Sequence, residues 1–356
     1  MILSGIINGE VLPANAVRWA MTQVLSGDAT PAQTAGFVMG LRVRGEDQTE
    51  VRALTDVMLE FANLVPRPES LPVVLDVVGT GGDGSHSVNI STMSALVCAA
   101  SGAPIIKHGN RAASSQTGAA DVLEALGVSI TLSPEGVAQC ADEVGIGFCF
   151  APAHHPALRF AAPTRKELGV GTVFNILGPL TNPGLANASL AGCANERLAP
   201  LLAQVLLDRG VKAIVVRGTD GLDEISTCAP TRVWDATGDH VEESQIAPED
   251  FGISRVPAEL LRGGESQRNA ELLRKVLDPS ADIGADQDAV AAIRDAVALN
   301  AAAALVAFDA ASGGDASRSL VERINAQLTR SRAALESGEA WAKLQRWAQL
   351  STALSS

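Results

Sequence analysis

From Pro13 to Val65 apolar residues recur every three or four positions, which predicts three helices. Pro13 opens the first and Gly27 follows it; Thr30-Pro31 supplies an N-cap and a first-turn proline for the second. The third starts near Asp47 and sets Val51, Leu54, Val57, Met58, Phe61 and Leu64 on one face. Pro66, Pro68 and Pro72 break this pattern. Short apolar runs follow at Val73–Val78, Pro104–Lys107, Ile146–Phe150 and Ala213–Arg217, each ahead of a loop rich in Gly, Asn or Pro. Helices are expected between them at Ser91–Ser101 and at Pro134–Val144, the latter capped by Ser133 and ended by Gly145. Near-continuous apolar strands joined by helices predict a parallel sheet covered on both faces. The expected class is α/β: a small all-helical N-terminal domain (1–66) and a large α/β domain (72–164 and 186–356) with a central, mostly parallel sheet flanked by helices. A Gly/Pro/Asn-rich stretch at Gly178–Gly184 marks a second hinge, through which residues near 165–185 would return to the helical domain.

Composition narrows the partners. The 356 residues are 47% hydrophobic, enough for a large core, and carry a formal net charge of -13. That charge, with 3% aromatic residues and no Tyr to stack on bases, argues against nucleic acid. The longest apolar stretch, Ala296–Phe308, is interrupted by Asn300 and is shorter than the ~20 residues of a membrane span, and the first residues lack the basic start of a signal peptide. Cys98, Cys140, Cys149, Cys193 and Cys228 are odd in number and far apart, as reduced core cysteines are. A cytoplasmic protein without nucleic-acid or membrane partners is expected.

Four segments carry chemistry. In Asp76–Ser101, Gly79, Gly81 and Gly84 satisfy G-x-G-x-x-G, but the helix starts too late for a dinucleotide fingerprint, and Ser85 stands where a Walker loop needs Lys. A glycine-rich loop ahead of a helix that begins near Ser91 still lets backbone N–H groups approach a phosphate. In Lys107–Gly118, Lys107, His108, Asn110, Arg111, Ser114 and Ser115 gather donors suited to a polyanion. The adjacent carboxylates Asp223 and Glu224 follow a third strand, and hard oxygen ligands beside phosphates favour Mg2+. In Phe150–Gly184, Arg165 stands with His154, His155, Arg159 and Lys166; an Arg there can bind a planar carboxylate, and Pro152 can wall a flat ring. No Ser-His-Asp or Cys-His nucleophile arrangement is visible.

At these segments the chain resembles the anthranilate phosphoribosyltransferases. The motifs are GTGGD with N-x-S-T (Gly79–Asp83, Asn89–Thr92), KHGNR (Lys107–Arg111), R-x-E-L-G through F-N-x-L-G-P-L-x-N-P (Arg165–Pro183), and the pair Asp223-Glu224. GGESQRNAELLRKVL (Gly263–Leu277) and LNAAAAL (Leu299–Leu305) also match. The resemblance implies transfer of phosphoribosyl from phosphoribosyl pyrophosphate to the amine of anthranilate, in tryptophan synthesis. It implies that Gly79, Gly82, Asp83, Ser87, Asn89, Ile90, Ser91, Thr92, Lys107, His108, Gly109, Asn110, Arg111, Ala112, Ala113, Ser114, Ser115 and Ala119 hold the donor. Ser91, Asp223 and Glu224 would hold two Mg2+ per monomer; Gly79, His108, Asn110, Pro152 and Arg165 would line the anthranilate path; and a homodimer would form through the helical domain. Ala119 stands where many members have Ser, which leaves only its backbone for a donor contact, and Gln116 replaces a frequent Lys. A pyrimidine nucleoside phosphorylase, which shares the glycine loop in looser form, and a non-catalytic nucleic-acid-binding relative are the rival expectations.

Overall fold

The computed structural model describes residues 2–112 and 116–355. Its N-terminal part holds helices Ile2–Ile7, Ala14–Ser26, Pro31–Arg44 and Gln48–Glu60. Sequence pattern had suggested only three, because Ser4 and Gly5 break up the short first helix. Local chemistry sets the boundaries of the rest. Gly27 ends the second helix in the left-handed conformation (φ 81°). Thr30 and Gln33 form a reciprocal capping box, as do Asp47 and Glu50. The last helix ends at Glu60, so Leu64 falls beyond the predicted apolar face and is exposed.

Strands β1 (Leu75–Gly79), β2 (Ile105–Gly109), β3 (Ile146–Phe150), β4 (Ala188–Gly192), β5 (Lys212–Gly218), β6 (Thr231–Ala236) and β7 (Glu242–Ile246) form one sheet in the order β3-β2-β1-β4-β5-β6-β7. The first five run parallel; β6 and β7 add an antiparallel edge. The direction of strand progression reverses between β1 and β4. In open α/β sheets, the crevice beyond the carboxyl ends at such a point is where ligands bind.

One face of the sheet is covered by the helix Gln287–Ala311, which packs on Ile90–Ala100, β4 and β5. This helix is long and apolar enough to cross a membrane, but 78% of its most apolar window is buried inside the protein, where its alanines allow close approach to the strands. The other face belongs to a second apolar cluster. Val78, Ala191 and Val215 of the sheet join Leu202 and Val205, the bundle residues Phe37, Leu41, Leu54 and Val57, and Phe174, Ile176 and Leu177. Helices Ala162–Leu168 and Phe174–Leu180 pack on Pro31–Arg44 and Gln48–Glu60 respectively. The segment that follows β3 therefore reaches back to the bundle before the chain returns to β4.

Candidate active site

The loop after β1 turns on glycines with positive φ, Gly81 at 67°, Gly82 at 78° and Gly84 at 72°. Gly79 is glycine for a different reason: a methyl group there would stand 2.4 Å from Asp223 Oδ2, and one on Gly192 would stand 1.6 Å from the Asp223 carbonyl oxygen. The acidic loop thus rests directly on the ends of β1 and β4. Gly81 N–H donates to Asp223 Oδ2 at 2.7 Å, and Asn300, buried in the middle of the long apolar helix, clamps the Ile225 N–H and C=O at 2.9 Å each. The glycine loop is tied down on its far side. Gly263 N–H donates to His86 O at 2.8 Å, Val88 N–H to Leu261 O at 2.9 Å, and the Asn269 amide to Asn89 Oδ1 at 3.0 Å. His86 itself holds a positive φ of 53°, a strained value for a residue with a side chain.

The acidic pair is buried, each residue 9% exposed. Burial pushes the Asp223 carboxyl up to about 7, and Asp83 beside it adds to the shift. Glu224 is raised well above the usual range by burial and then by Asp223. Their basic neighbour is Lys107, whose Nζ donates to Val77 O and lies 3.4 Å from Ser91 Oγ. Burial lowers the Lys107 pKa, and Asp76, Glu224 and Asp223 oppose that shift. Lys107 is therefore a buried counter-ion to the acidic loop as well as part of the expected donor site. Among the described residues no three His, Cys, Asp or Glu side chains form a metal cage. Two buried carboxylates with the Ser91 hydroxyl nearby instead fit a Mg2+ that completes its shell with water and substrate oxygens.

Of the other expected donor contacts, Asp83 is turned inward onto Ser85, accepting from its Oγ at 2.6 Å, and Ser87 Oγ lies 3.3 Å from the same hydroxyl. Asn89 donates to Thr117 O at 3.1 Å. Ile90 is buried at the start of the helix, and Thr92 has a buried hydroxyl with no partner. Gly109 ends β2, and Ala112 N–H donates to Asp121 Oδ2 at 3.0 Å. Ala119 opens the helix Ala119–Ala125. Ala113, Ser114 and Ser115 lie outside the described residues. The donors gathered in the KHGNR loop are not all free for a polyanion: Arg111 pairs with Asp121 at 2.9 Å and Glu124 at 2.5 Å. The helix that follows the loop supplies both.

On the acceptor side, His108 Nδ1 is 3.0 Å from Gly178 O and His155 Nε2 is 2.9 Å from Thr181 O, which makes each of these nitrogens the N–H donor. The opposite nitrogens, His108 Nε2 and His155 Nδ1, are buried acceptors with no partner, and the rings are 5.1 Å apart. Burial, then His155, drives the His108 pKa down to about 3; burial takes His155 to about 4. Both imidazoles are neutral at pH 7. Pro152 is exposed in the short helix Ala151–His154, and Asn110 is exposed after β2. Arg165, on Ala162–Leu168, is half-buried with its guanidinium 5.1 Å from the Phe174 ring centre; among the described residues its side chain has no hydrogen bond or ion pair. Burial alone lowers its pKa. Sequence reasoning missed the roles of Asp76, Asn269 and Asn300. A polar residue inside an apolar strand or helix was the available signal for Asp76 and Asn300.

A helical bundle joined to an α/β sheet, with a glycine loop and an acidic loop at the switch point, defines a glycosyl transferase. Residues 1–62 match the family described as "Glycosyl transferase family, helical bundle domain" and residues 71–341 match "Glycosyl transferase family, a/b domain". The anthranilate phosphoribosyltransferase of Nocardia farcinica is 48% identical over 354 residues, covering 99% of both chains. The crystal structure of the Thermus thermophilus enzyme of that name superposes with a TM-score of 0.86 at 39% identity, over 99% of each chain. The Saccharomyces cerevisiae enzyme has been solved in complex with PRPP and Mg (TM-score 0.85, 26% identity, 99% of this chain and 97% of that one) and with 4-fluoroanthranilate (TM-score 0.82, 26%, the same coverage). The chain belongs to the anthranilate phosphoribosyltransferase family.

Proposed function

We propose that the protein transfers the phosphoribosyl group of phosphoribosyl pyrophosphate to the amine of anthranilate and that the residues above divide the work. The bond from ribose C1 to the pyrophosphate oxygen breaks, a C1–N bond forms, and the aryl ammonium releases a proton. The glycine loop and the first turn of Ile90–Ala100 offer backbone donors to the donor phosphates. Two Mg2+, held by Ser91, Asp223 and Glu224, would supply positive charge against the leaving pyrophosphate. The observation that carries the acceptor assignment is Arg165: a half-buried guanidinium over the Phe174 ring, without an acidic partner among the described residues, on the segment that returns to the bundle. A guanidinium in that state pairs a planar carboxylate with two parallel hydrogen bonds. The aryl amine is already neutral at pH 7, so positioning and exclusion of water carry the rate without a strong general base.

Incubation with Mg2+, phosphoribosyl pyrophosphate and anthranilate should deplete anthranilate fluorescence. No depletion, together with phosphate- and nucleoside-dependent turnover that ignores chelators, would instead establish the phosphorylase reading. We also propose a cytoplasmic homodimer through the helical domain. In its support, Trp19 (60% exposed) and Val43 (78%) are large apolar side chains on bundle helices. Light scattering of the Trp19→Glu, Val43→Glu double variant should report a monomer.

A further inference from the structure

Strands β1 and β2 are neighbours, yet their ladder has a single registered pair, Leu75 opposite Ile105, whereas β1 and β4 share five pairs along the full length of β1. Extending the β1–β2 ladder in register would join Val77 N–H to Ile106 O and then His108 N–H to Val77 O. Side chains take these positions instead. Asn182 Nδ2 donates to Ile106 O at 2.7 Å, Asp76 Oδ1 accepts from His108 N–H at 3.2 Å, and Lys107 Nζ donates to Val77 O. Three of the four backbone groups concerned, Ile106 O, His108 N–H and Val77 O, are therefore served by side chains, which is why a parallel sheet tolerates the gap at its centre.

The three side chains come from different places. Asp76 and Lys107 belong to the two strands that part, and Asn182 belongs to the segment by which the chain leaves the bundle for β4. That segment is fixed at its turn, with Gly184 N–H donating to Asn182 Oδ1 at 2.7 Å and Leu185 held at a positive φ of 48°. Beside it lies a cavity of about 150 Å3 lined by Leu59, Asn182, Arg209, Asp76 and Ser189. Asp76 and Ser189 are opposite one another in the β1–β4 register, are 1% and 2% exposed, and have Oδ2 and Oγ without partners. The cavity is polar and roomy enough for water to serve both. A buried carboxylate in the middle of a sheet is otherwise a costly choice.

We propose that Asp76 and Asn182 are positioning residues that keep β1 and β2 apart, so that the glycine loop after β1 and the Lys107–Asn110 loop after β2 stand on opposite walls of the donor crevice. This rests on the donor reading above. Removing either staple frees a backbone group to re-form the ladder, which narrows the crevice and shifts His108 and Asn110 against the donor. The chain then gains backbone bonds while it loses the staple, so melting temperature and catalysis separate.

The test is steady-state kinetics per folded molecule with thermal melts alongside. Asp76→Ala should lower kcat/KM for phosphoribosyl pyrophosphate by about a hundred-fold, the scale of a 1 Å misplacement. Asp76→Asn keeps an acceptor oxygen for His108 N–H and should recover at least about a tenth of the wild-type value. Asn182→Ala should lower the same quantity about ten-fold with little change in melting temperature, and it remains the test if Asp76→Ala fails to fold. Wild-type kcat/KM in folded Asp76→Ala or Asn182→Ala would overturn the proposal, as would an Asn variant no better than Ala at position 76. A wild-type protein inactive with the donor would instead remove the reaction reading, leaving the staples as structure only.

Discussion

The loop after β2 and the helix that returns to the bundle each carry an arginine from the motifs of the candidate site. Arg111, with its side chain 48% exposed, spreads over Asp121 and Glu124. Arg165 is half-buried, stacked near Phe174 and without an acidic partner among the described residues. Local sequence makes Arg111 look better placed, since it lies in a run of donors. On the acceptor role proposed for Arg165, the difference teaches that an anion site is marked by a half-buried cation left without a partner; local density of cations matters less. The acidic loop is built differently: Asp223 and Glu224 are buried together, and Lys107 is a buried basic group facing them.

The largest effect is expected at that loop. Asp223→Asn with Glu224→Gln should reduce turnover about a thousand-fold or more at limiting Mg2+. Because both carboxyls are raised by burial, the folded protein binds more protons than the unfolded one between about pH 4 and pH 7. That contribution to stability is present at low pH and lost as pH rises through the folded value of about 7. In chelator, the variant should therefore lose less stability than the wild type over that window, as urea titrations at several pH values would show. Near-normal turnover would reduce the pair to buried structure.

Next in size is Arg165→Ala, which should raise the anthranilate KM by the equivalent of ~2 to 4 kcal/mol and leave the donor KM nearly intact. Arg165→Lys should recover only part, since a point charge lacks the planar fork. A shift in donor KM alone would reverse the assignment of the two walls.

A smaller effect follows from His108 and His155. Their folded pKa values, about 3 and about 4, lie below the ordinary histidine value, so the unfolded chain binds more protons as pH falls below about 6.5. Their stabilising contribution is complete above that pH and declines toward pH 4. His155→Asn should flatten the loss of stability between pH 6.5 and 4 by ~2 kcal/mol in urea titrations; an unchanged slope would show that the ring is protonated in the fold. Smallest is Arg111→Ala. An exposed pair contributes ~0 to 1 kcal/mol, so the melt should barely move and the donor KM should rise less than about ten-fold. A loss as large as that at Arg165 would erase the contrast between the two arginines.

What could be read in advance follows the range of the forces involved. Thr30 with Gln33, and Asp47 with Glu50, are local capping pairs, and the helices they start were legible. β1, β2, β3 and β5 announce themselves by apolar runs. β4, Ala-Ser-Leu-Ala-Gly, has no β-branched residue and exists because β1 and β5 flank it. β7, Glu-Glu-Ser-Gln-Ile, is polar because it is an exposed edge. The loop motifs of the site were visible as motifs. How they would be held depended on partners outside the motifs, such as Asp121, on the next helix, for the charge of Arg111 and Asn300, 75 residues on, for the backbone of Ile225 beside the acidic pair.

The position of the helix Gln287–Ala311 has a consequence for the order of events during synthesis. Every described residue expected to touch substrate or metal lies upstream of Ile225, yet Asn300 closes the loop at Ile225, and Val297 and Ala301 receive hydrogen bonds from Ser94 and Cys98 in the helix behind the glycine loop. On a ribosome adding ~5 to 20 residues per second, Ile90–Ala100 waits roughly 10 to 40 s for its apolar partner. Throughout that interval the part of the sheet that this helix covers, chiefly β4 and β5, lacks its cover. A fragment ending before Gln287 would carry all of those site residues and would aggregate through that bare part of the sheet.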